Sequence, residues 1–178
     1  MINAERYFMA EHNITLAWRR ATPDFVYETY NRNASLTFGG GNQIEVSNPP
    51  HYFGDAKLAN PEELLLSALS CCYMQTFLAV ACKQGFIVNQ YTDHVIGISG
   101  RNEKGKKSMT EITLNPQVIF AEKTPDQETL QGIQEKAHNN CFISNSINAK
   151  VTIDIQPSLA SDQDLLNERR QIERTSCD

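Results

Sequence analysis

NPEELLLSALSCCYMQTFLAVACKQG, residues 60–85, decides the fold of this chain. Asn60 can accept a backbone N–H as N-cap. Pro61 stands at the first helical position, where a missing N–H loses no hydrogen bond, and Glu62 and Glu63 favour the positive end of the helix dipole. Gly85 suits the left-handed turn that ends a helix, so the stretch predicts a helix from Pro61 to about Gln84. Leu64 to Cys82 carries no charge and is apolar on every side, which calls for packing around most of the circumference. A membrane span needs roughly 20 apolar residues. Here Ser67, Ser70, Gln75 and Thr76 interrupt the run and nothing else in the chain looks membrane-bound, so the reading is a central buried helix with no membrane partner.

On the N-terminal side, Ile14–Trp18, Phe25–Tyr30, Ser35–Phe38 and Gln43–Val46 are short, aromatic and β-branched-rich runs that predict strands, with Gly39-Gly40-Gly41 as a turn. Residues 47–60 contain two prolines, a glycine and no periodicity, and read as an irregular connection. On the C-terminal side, Phe86–Gly100 and Ser108–Phe120 read as strands joined at the charged turn Arg101–Lys107, a hairpin. Thr124-Pro125-Asp126-Gln127 is a capping-box pattern with Pro at the first helical position, opening a second helix to about Asn140. Ala149–Ile155 alternates cleanly and predicts a strand. Strands and helices are clustered rather than alternating, so the fold class is α+β. Residues 1–156 read as a single domain and residues 157–178 as a polar tail, with Asp162–Arg174 a surface helix or loose end.

Composition narrows the function. The chain has 178 residues, enough for one domain with a sizeable core, at 40% hydrophobic and 21% charged. Sixteen Lys and Arg against twenty-one Asp and Glu give a net charge of −5, and no basic cluster marks a nucleic-acid partner. The start, MINAERYFMAEHN, carries charge early and lacks the apolar run of a secretory signal. Five cysteines (Cys71, Cys72, Cys82, Cys141 and Cys177), an odd number, point to a reducing compartment, the cytoplasm, and to no disulfide framework. With no C-x-x-C and no histidine at finger spacing, no structural metal is expected.

A cysteine is most often a small buried hydrophobe with no task. Cys72, midway along the apolar helix, and Cys141, at the end of the second, can instead be an attacking and a resolving thiol, provided a cation lowers the first one's pKa. Cys71 points about 100° away from Cys72 around the helix and reads as packing. Cys82 lies roughly 15 Å further along the axis, too far for a disulfide with Cys72. Cys177 falls in the tail as a free thiol. His138, three residues before Cys141, offers a different chemistry, a cysteine hydrolase, although no acid to orient the imidazole is evident.

The stretch from Asn60 to Cys72 resembles the OsmC/Ohr family of peroxidases, whose members carry N-P-E-[EQ]-L with the reactive cysteine ten residues after the first glutamate. Counting ten from Glu62 lands on Cys72. The family's second element, a cysteine followed by a short Ser/Asn-containing segment, matches Cys141-Phe-Ile-Ser-Asn-Ser. The likeness runs from about Trp18 through Ile153. It implies antiparallel sheets around a long central helix in an intertwined homodimer. It implies a thiol peroxidase acting on organic hydroperoxides without cofactor or metal, with Cys72 peroxidatic, Cys141 resolving, an arginine holding the thiolate and Glu62 orienting that arginine. Arg32, in Tyr-Asn-Arg-Asn, is the choice for the arginine, with Arg19 and Arg20 read as solvated surface charges. A dithiol, a dihydrolipoyl group on a carrier protein, is the implied reductant. Phe142 stands where the best-known peroxidase branch has proline after the second cysteine, so the pattern is closer to an OsmC-like subgroup. A non-catalytic protein of the same fold, binding a small apolar ligand beside Cys72, is the alternative. Geometry adds one expectation. Glu62 and Cys72 on one helix are roughly 15 Å apart along its axis, so a Glu62 that serves the Cys72 site comes from a second subunit.

Overall fold

The structure, a computed structural model, describes residues 10–161, and the chain divides into two compact units, residues 1–64 and 65–178. In the first, β1 (Ile14–Ala17), β2 (Ala34–Phe38) and β3 (Gln43–Val46) form an antiparallel sheet in that order, with Ile14 opposite Phe38 and Ala34 opposite Val46. The predicted Phe25–Tyr30 strand is absent. The N–H groups of Thr29 and Tyr30 both bond the Val26 carbonyl, at 3.1 and 3.0 Å, and wind the segment into a turn. The Asn31 side chain accepts the Ala21 N–H at 2.8 Å and donates to the Arg19 carbonyl at 3.0 Å, closing a loop. Phe25 and Tyr30 stack at 5.0 Å against each other and at 5.9 and 6.3 Å against Trp18. Ring packing and side-chain-bonded turns outweigh the strand preference of these residues. In the connection that follows, Gly54 passes so near Asn48 that a Cβ there would lie 1.6 Å from the Asn48 carbonyl oxygen.

Helix α1 (Pro61–Lys83) starts as its sequence predicts. The Glu63 N–H bonds Asn60 Oδ1 at 2.9 Å and the Asn60 N–H bonds the Glu63 carboxylate at 3.0 Å, a reciprocal capping box. It ends at Gly85, φ 77°, where the Phe86 N–H reaches back to the Ala81 carbonyl at 3.0 Å. By length and composition α1 would pass for a membrane span. Instead Leu69, Tyr73, Phe77 and Ala81, four apart and all fully buried, form one stripe of the core of the second unit. Ala68, Cys71, Gln75, Ala79 and Cys82 remain exposed.

The remaining elements are β4 (Val88–Asp93), β5 (Ile96–Arg101), β6 (Lys107–Leu114), β7 (Pro116–Phe120), α2 (Gln127–Asn140), the one-turn α3 (Phe142–Ser146), β8 (Lys150–Ile153) and β9 (Gln156–Leu159). They make two three-stranded sheets, β4-β7-β9 and β5-β6-β8. The β4/β7 and β5/β6 pairs are antiparallel, whereas β8 and β9 join in parallel. Each long strand of the predicted hairpin is therefore two strands. Asn115 explains the break: its N–H bonds the Asp93 carboxylate at 2.8 Å and its side-chain amide bonds the His94 carbonyl at 2.7 Å. Both arms bend at this level and pass from one sheet to the other. α2 is capped by Asp126, whose carboxylate accepts the Thr129 N–H at 2.8 Å, rather than by Thr124, so Pro125 precedes the cap. β9 takes in Pro157–Leu159 from the stretch read as tail; the rest of that stretch beyond Ser161, with Asp162–Arg174 and Cys177, lies outside the described residues.

Removing the cap should loosen the helix on which the second unit packs. Asn60→Ala is expected to lower unfolding free energy by about 1 kcal/mol. Phe77→Ala, which opens the core itself, should lower it by roughly 3–5 kcal/mol. Urea titrations followed by circular dichroism check both, and a larger loss in Asn60→Ala than in Phe77→Ala would contradict the packing described.

Candidate active site

Two thiols from distant parts of the sequence meet in the second unit. Cys72 sits on the flank of the buried α1 stripe, next to Tyr73, and is half-buried. Cys141 occupies the break between α2 and α3 in extended conformation, φ −78° and ψ 110°, and is fully buried. Its Sγ accepts the Ser144 N–H at 3.4 Å, and Cys72 packs against the buried cluster to which Cys141 belongs. Burial first, and then the neighbouring Cys72 thiol, push the Cys141 thiol up to about 11, against the opposing pull of the Ser144 N–H. Cys141 is thus protonated at neutral pH. Cys71 and Cys82 are exposed, in keeping with their place on the other side of α1.

The histidine expected to serve a hydrolase does something else. His138 Nδ1 lies 3.0 Å from Ser144 Oγ, so the imidazole pairs with a hydroxyl rather than with the Cys141 sulfur. Among the described residues no hydrogen bond joins His138 to the Cys141 sulfur, the base-to-nucleophile contact a hydrolase needs. Ser144 was not singled out by sequence. Its cue was the helix-cap spacing, a potential acceptor three residues before a backbone donor.

In the first unit Arg32 is only 9% exposed. Its guanidinium lies 3.6 Å from the centre of the Tyr30 ring, with the Tyr27 and Phe53 rings at 5.4 and 5.3 Å. Two of its nitrogens donate to the Tyr30 and Tyr27 carbonyls, and Nε is buried with no hydrogen-bond partner. Arg19 and Arg20 are exposed, and Arg20 donates to the Pro23 carbonyl at 2.9 Å. Glu62, on the first turn of α1, keeps one carboxylate oxygen buried and without a partner. Among the described residues no ion pair joins Arg32 to Glu62. The chain therefore brings Cys72 to Cys141 and leaves Arg32 and Glu62 each with an unused buried polar atom.

Sequence reasoning missed a polar cluster behind the cysteines. Asp93 receives the Ser70 hydroxyl at 2.6 Å and the Asn115 N–H at 2.8 Å. Tyr73 and Tyr91 have buried hydroxyls with no partner. Burial, followed by the Asp93 charge, pushes both phenols well above the usual tyrosine range, and Cys141 adds to the shift of Tyr73. Tyr73 reads from sequence as one more core residue; the available signal was a hydroxyl inside an otherwise apolar stripe. Among the described residues no cluster of His, Cys, Asp and Glu has the makings of a metal site.

Two three-stranded sheets and one long apolar helix, with half-buried Cys72 packed against the core that holds Cys141, define an α+β protein. The chain belongs to the family described as OsmC-like protein, which its residues 54–156 match. An OsmC-like protein of unknown function from Vibrio cholerae is 38% identical, with a TM-score of 0.79 over 83% of this chain and 100% of that one. YmaD of Bacillus subtilis, itself uncharacterized, is 27% identical over 132 residues, 72% of this chain and 87% of YmaD. An organic hydroperoxide resistance protein from Elizabethkingia anophelis is 20% identical, with a TM-score of 0.64 over 86% of this chain and 99% of that one, a likeness of fold.

The burial of Cys141 predicts its reactivity. In the folded chain iodoacetamide should leave Cys141 intact at pH 8, with Cys141 becoming reactive only as pH approaches about 11. The sign for stability follows. A thiol whose folded pKa lies above its ordinary 9.0 contributes fully below that pH, and the contribution is lost as pH climbs to about 11. Peptide mapping by mass spectrometry after short pulses at each pH checks this.

Proposed function

We propose that this protein is a thiol peroxidase that reduces organic hydroperoxides, with Cys72 as the attacking and Cys141 as the resolving cysteine. One observation carries the reading: two thiols sixty-nine positions apart come together in one core, with Cys72 packed against the buried cluster that contains Cys141. The family membership and the shared fold with an organic hydroperoxide resistance protein support it. Cys72 thiolate attacks the terminal oxygen of R–O–OH, the O–O bond breaks, and the alcohol leaves with a proton as Cys72 becomes a sulfenic acid. The Cys141 sulfur then displaces the hydroxyl, which departs as water with the Cys141 proton, and an S–S bond forms. A dithiol, a dihydrolipoyl group on a carrier protein, returns both cysteines to thiols by exchange. This cycle requires a reducing supply, and the cytoplasm is the compartment assigned.

Arg32 is the cation this chemistry needs, and Glu62 the acid that orients it. Both have an unsatisfied polar atom held away from water, an arrangement that favours a charged partner. Because α1 is continuous, Glu62 stands about 15 Å along the axis from Cys72 on the same chain. We therefore assign the working protein as a homodimer in which each site takes residues from both subunits. The exposed Ala68, Cys71, Gln75, Ala79 and Cys82 face of α1 supports that assignment, since an apolar helix is covered in a dimer core.

Intact-mass measurement after one equivalent of cumene hydroperoxide tests the redox step. Wild type should lose two hydrogens, located to Cys72 and Cys141. Cys72→Ser should not react, because serine is a poor nucleophile toward peroxide, and Cys141→Ser should gain one oxygen and then over-oxidise. Normal turnover in Cys72→Ser would falsify the assignment, and absence of any fast oxidation in wild type would leave a ligand-binding protein of the same fold.

The shared site has its own test. Inactive Cys72→Ser and inactive Glu62→Ala, unfolded and refolded together, should regain part of wild-type turnover, since one of the two sites in a mixed dimer then holds both native residues. Mixed dimers without activity, or a monomeric mass by light scattering, count against it.

A further inference from the structure

Tyr73 is fully buried, follows Cys72 directly on α1 and keeps its hydroxyl without a partner. A buried donor left unmade in a native core is unfavourable and calls for an explanation. Packing alone does not supply one: phenylalanine would fill the same stripe, as Phe77 does one turn on, without stranding a hydroxyl. The surroundings narrow the role. Tyr73 and Cys141 are fully buried in one cluster, against which Cys72 and Tyr91 pack, and the Cys141 charge adds to the upward shift of the Tyr73 phenol. The Tyr73 and Phe77 rings lie 6.3 Å apart and the Phe77 and Tyr91 rings 5.9 Å apart, which fixes the two phenols across one aromatic stack. Asp93, held by Ser70 and Asn115, carries a charge that raises both phenols further.

We propose that the Tyr73 hydroxyl is the hydrogen-bond donor for the negative charge that develops on the Cys141 sulfur as it attacks modified Cys72, with Tyr91 and Asp93 as positioning residues. The inference rests on the reading of Cys72 and Cys141 as attacking and resolving thiols. Its physical basis is a mismatch. A thiol whose pKa is about 11 is ionised to roughly one part in ten thousand at pH 7, so the resolving step needs help in making the anion. A fixed donor, unsatisfied in the ground state and used only when charge appears, favours the transition state without tightening the resting state. The Asp93 charge disfavours a phenolate on either tyrosine and so keeps both as donors. The phenol is not consumed. The Cys141 proton leaves with the displaced group or to solvent, and the electrons of the new S–S bond come from Cys141.

The experiment isolates the second thiol from any peroxide. In full-length protein with Cys71, Cys82 and Cys177 replaced by serine, 5,5′-dithiobis(2-nitrobenzoate) forms a mixed disulfide at Cys72. Attack by Cys141 releases a second thionitrobenzoate, followed at 412 nm. Tyr73→Phe should slow that second release roughly 10- to 100-fold, the size of one lost hydrogen bond to a charge. The first release and the melting temperature should stay close to those of the parent, which a packing defect would not allow. Tyr91→Phe should slow the second release less. A second release at the parent rate in Tyr73→Phe overturns the proposal, as does equal slowing by Tyr91→Phe. No second release in the parent overturns both the proposal and the thiol-pair reading. Fast exchange in a parent that organic hydroperoxides do not oxidise overturns only the peroxidase function.

Discussion

A helix that is apolar around its whole circumference has no wet face, and the second unit is arranged around that constraint. α1 gives its Leu69–Tyr73–Phe77–Ala81 stripe to a core completed by Ile112 and Leu114 of β6, Val118 and Phe120 of β7, and Ile133 and Ala137 of α2. A single stripe does not exhaust the helix, however. Ala68, Cys71, Gln75, Ala79 and Cys82 stay in water in the single chain, and small side chains are what a second helix can approach closely. The strands obey the same demand. A flat hairpin of two long arms would cover one side of a helix, whereas arms that bend at Asp93 and Asn115 supply two short sheets. The Asp93 carboxylate that secures this bend also accepts Ser70 of α1, so one side chain ties strand, sheet junction and helix together.

The chemistry inherits this geometry. Ile133 and Ala137 of α2 and Cys141 at its end enter the same buried cluster as the α1 stripe, and Cys72 packs against that cluster. Ser144 then caps the sulfur and His138 engages the Ser144 hydroxyl, so the last turn of α2 and the single turn of α3 serve to fix one thiol. The low dielectric that makes the core also determines the protonation of that thiol. Burial is the largest contribution to its raised pKa, and the contact with Cys72 adds to it because a donated hydrogen bond favours the neutral form.

Much of this was legible in the sequence where local physics is strong. Asn60, Pro61, Glu63 and Gly85 mark the ends of α1 by capping rules that hardly depend on context, and the structure keeps them. The strands at Ile14–Ala17, Ala34–Phe38, Gln43–Val46 and Lys150–Ile153 follow their β-prone composition. Sequence failed where long-range contacts decide. Phe25–Tyr30 has the composition of a strand, but Trp18, Asn31 and Arg32 hold it as a turn. The two arms of the hairpin read as continuous because Asn115 shows its bonds only once Asp93 is opposite. Thr124 and Asp126 both suit an N-cap, and only the fold selects Asp126. At the candidate site, Cys72 and Cys141 stood out by their places on the two helices and took their implied roles from resemblance, since nothing in a separation of sixty-nine residues reports proximity. Tyr73, Tyr91 and Asp93 were missed because a tyrosine's value to a core and its value as a donor look identical in sequence.

In the proposed cycle, exposure orders the two thiols in time. A nucleophile that meets an external substrate must be reachable, and Cys72 is half-buried while Cys141 is fully buried. Cys141 therefore cannot be the first to react, whatever its intrinsic nucleophilicity. The same burial that closes it to substrate keeps it protonated, so a thiol held against Cys72 does not compete for oxidant or exchange with passing disulfides. That silence has a consequence for the second step, because the barrier that protects Cys141 at rest must fall once Cys72 carries a leaving group. A lowering built into Cys141 itself would abolish the protection. It has to come from groups idle in the reduced state and engaged only by developing charge, and the stranded hydroxyl of Tyr73, next in sequence to Cys72 and buried in one cluster with Cys141, is the group proposed for it.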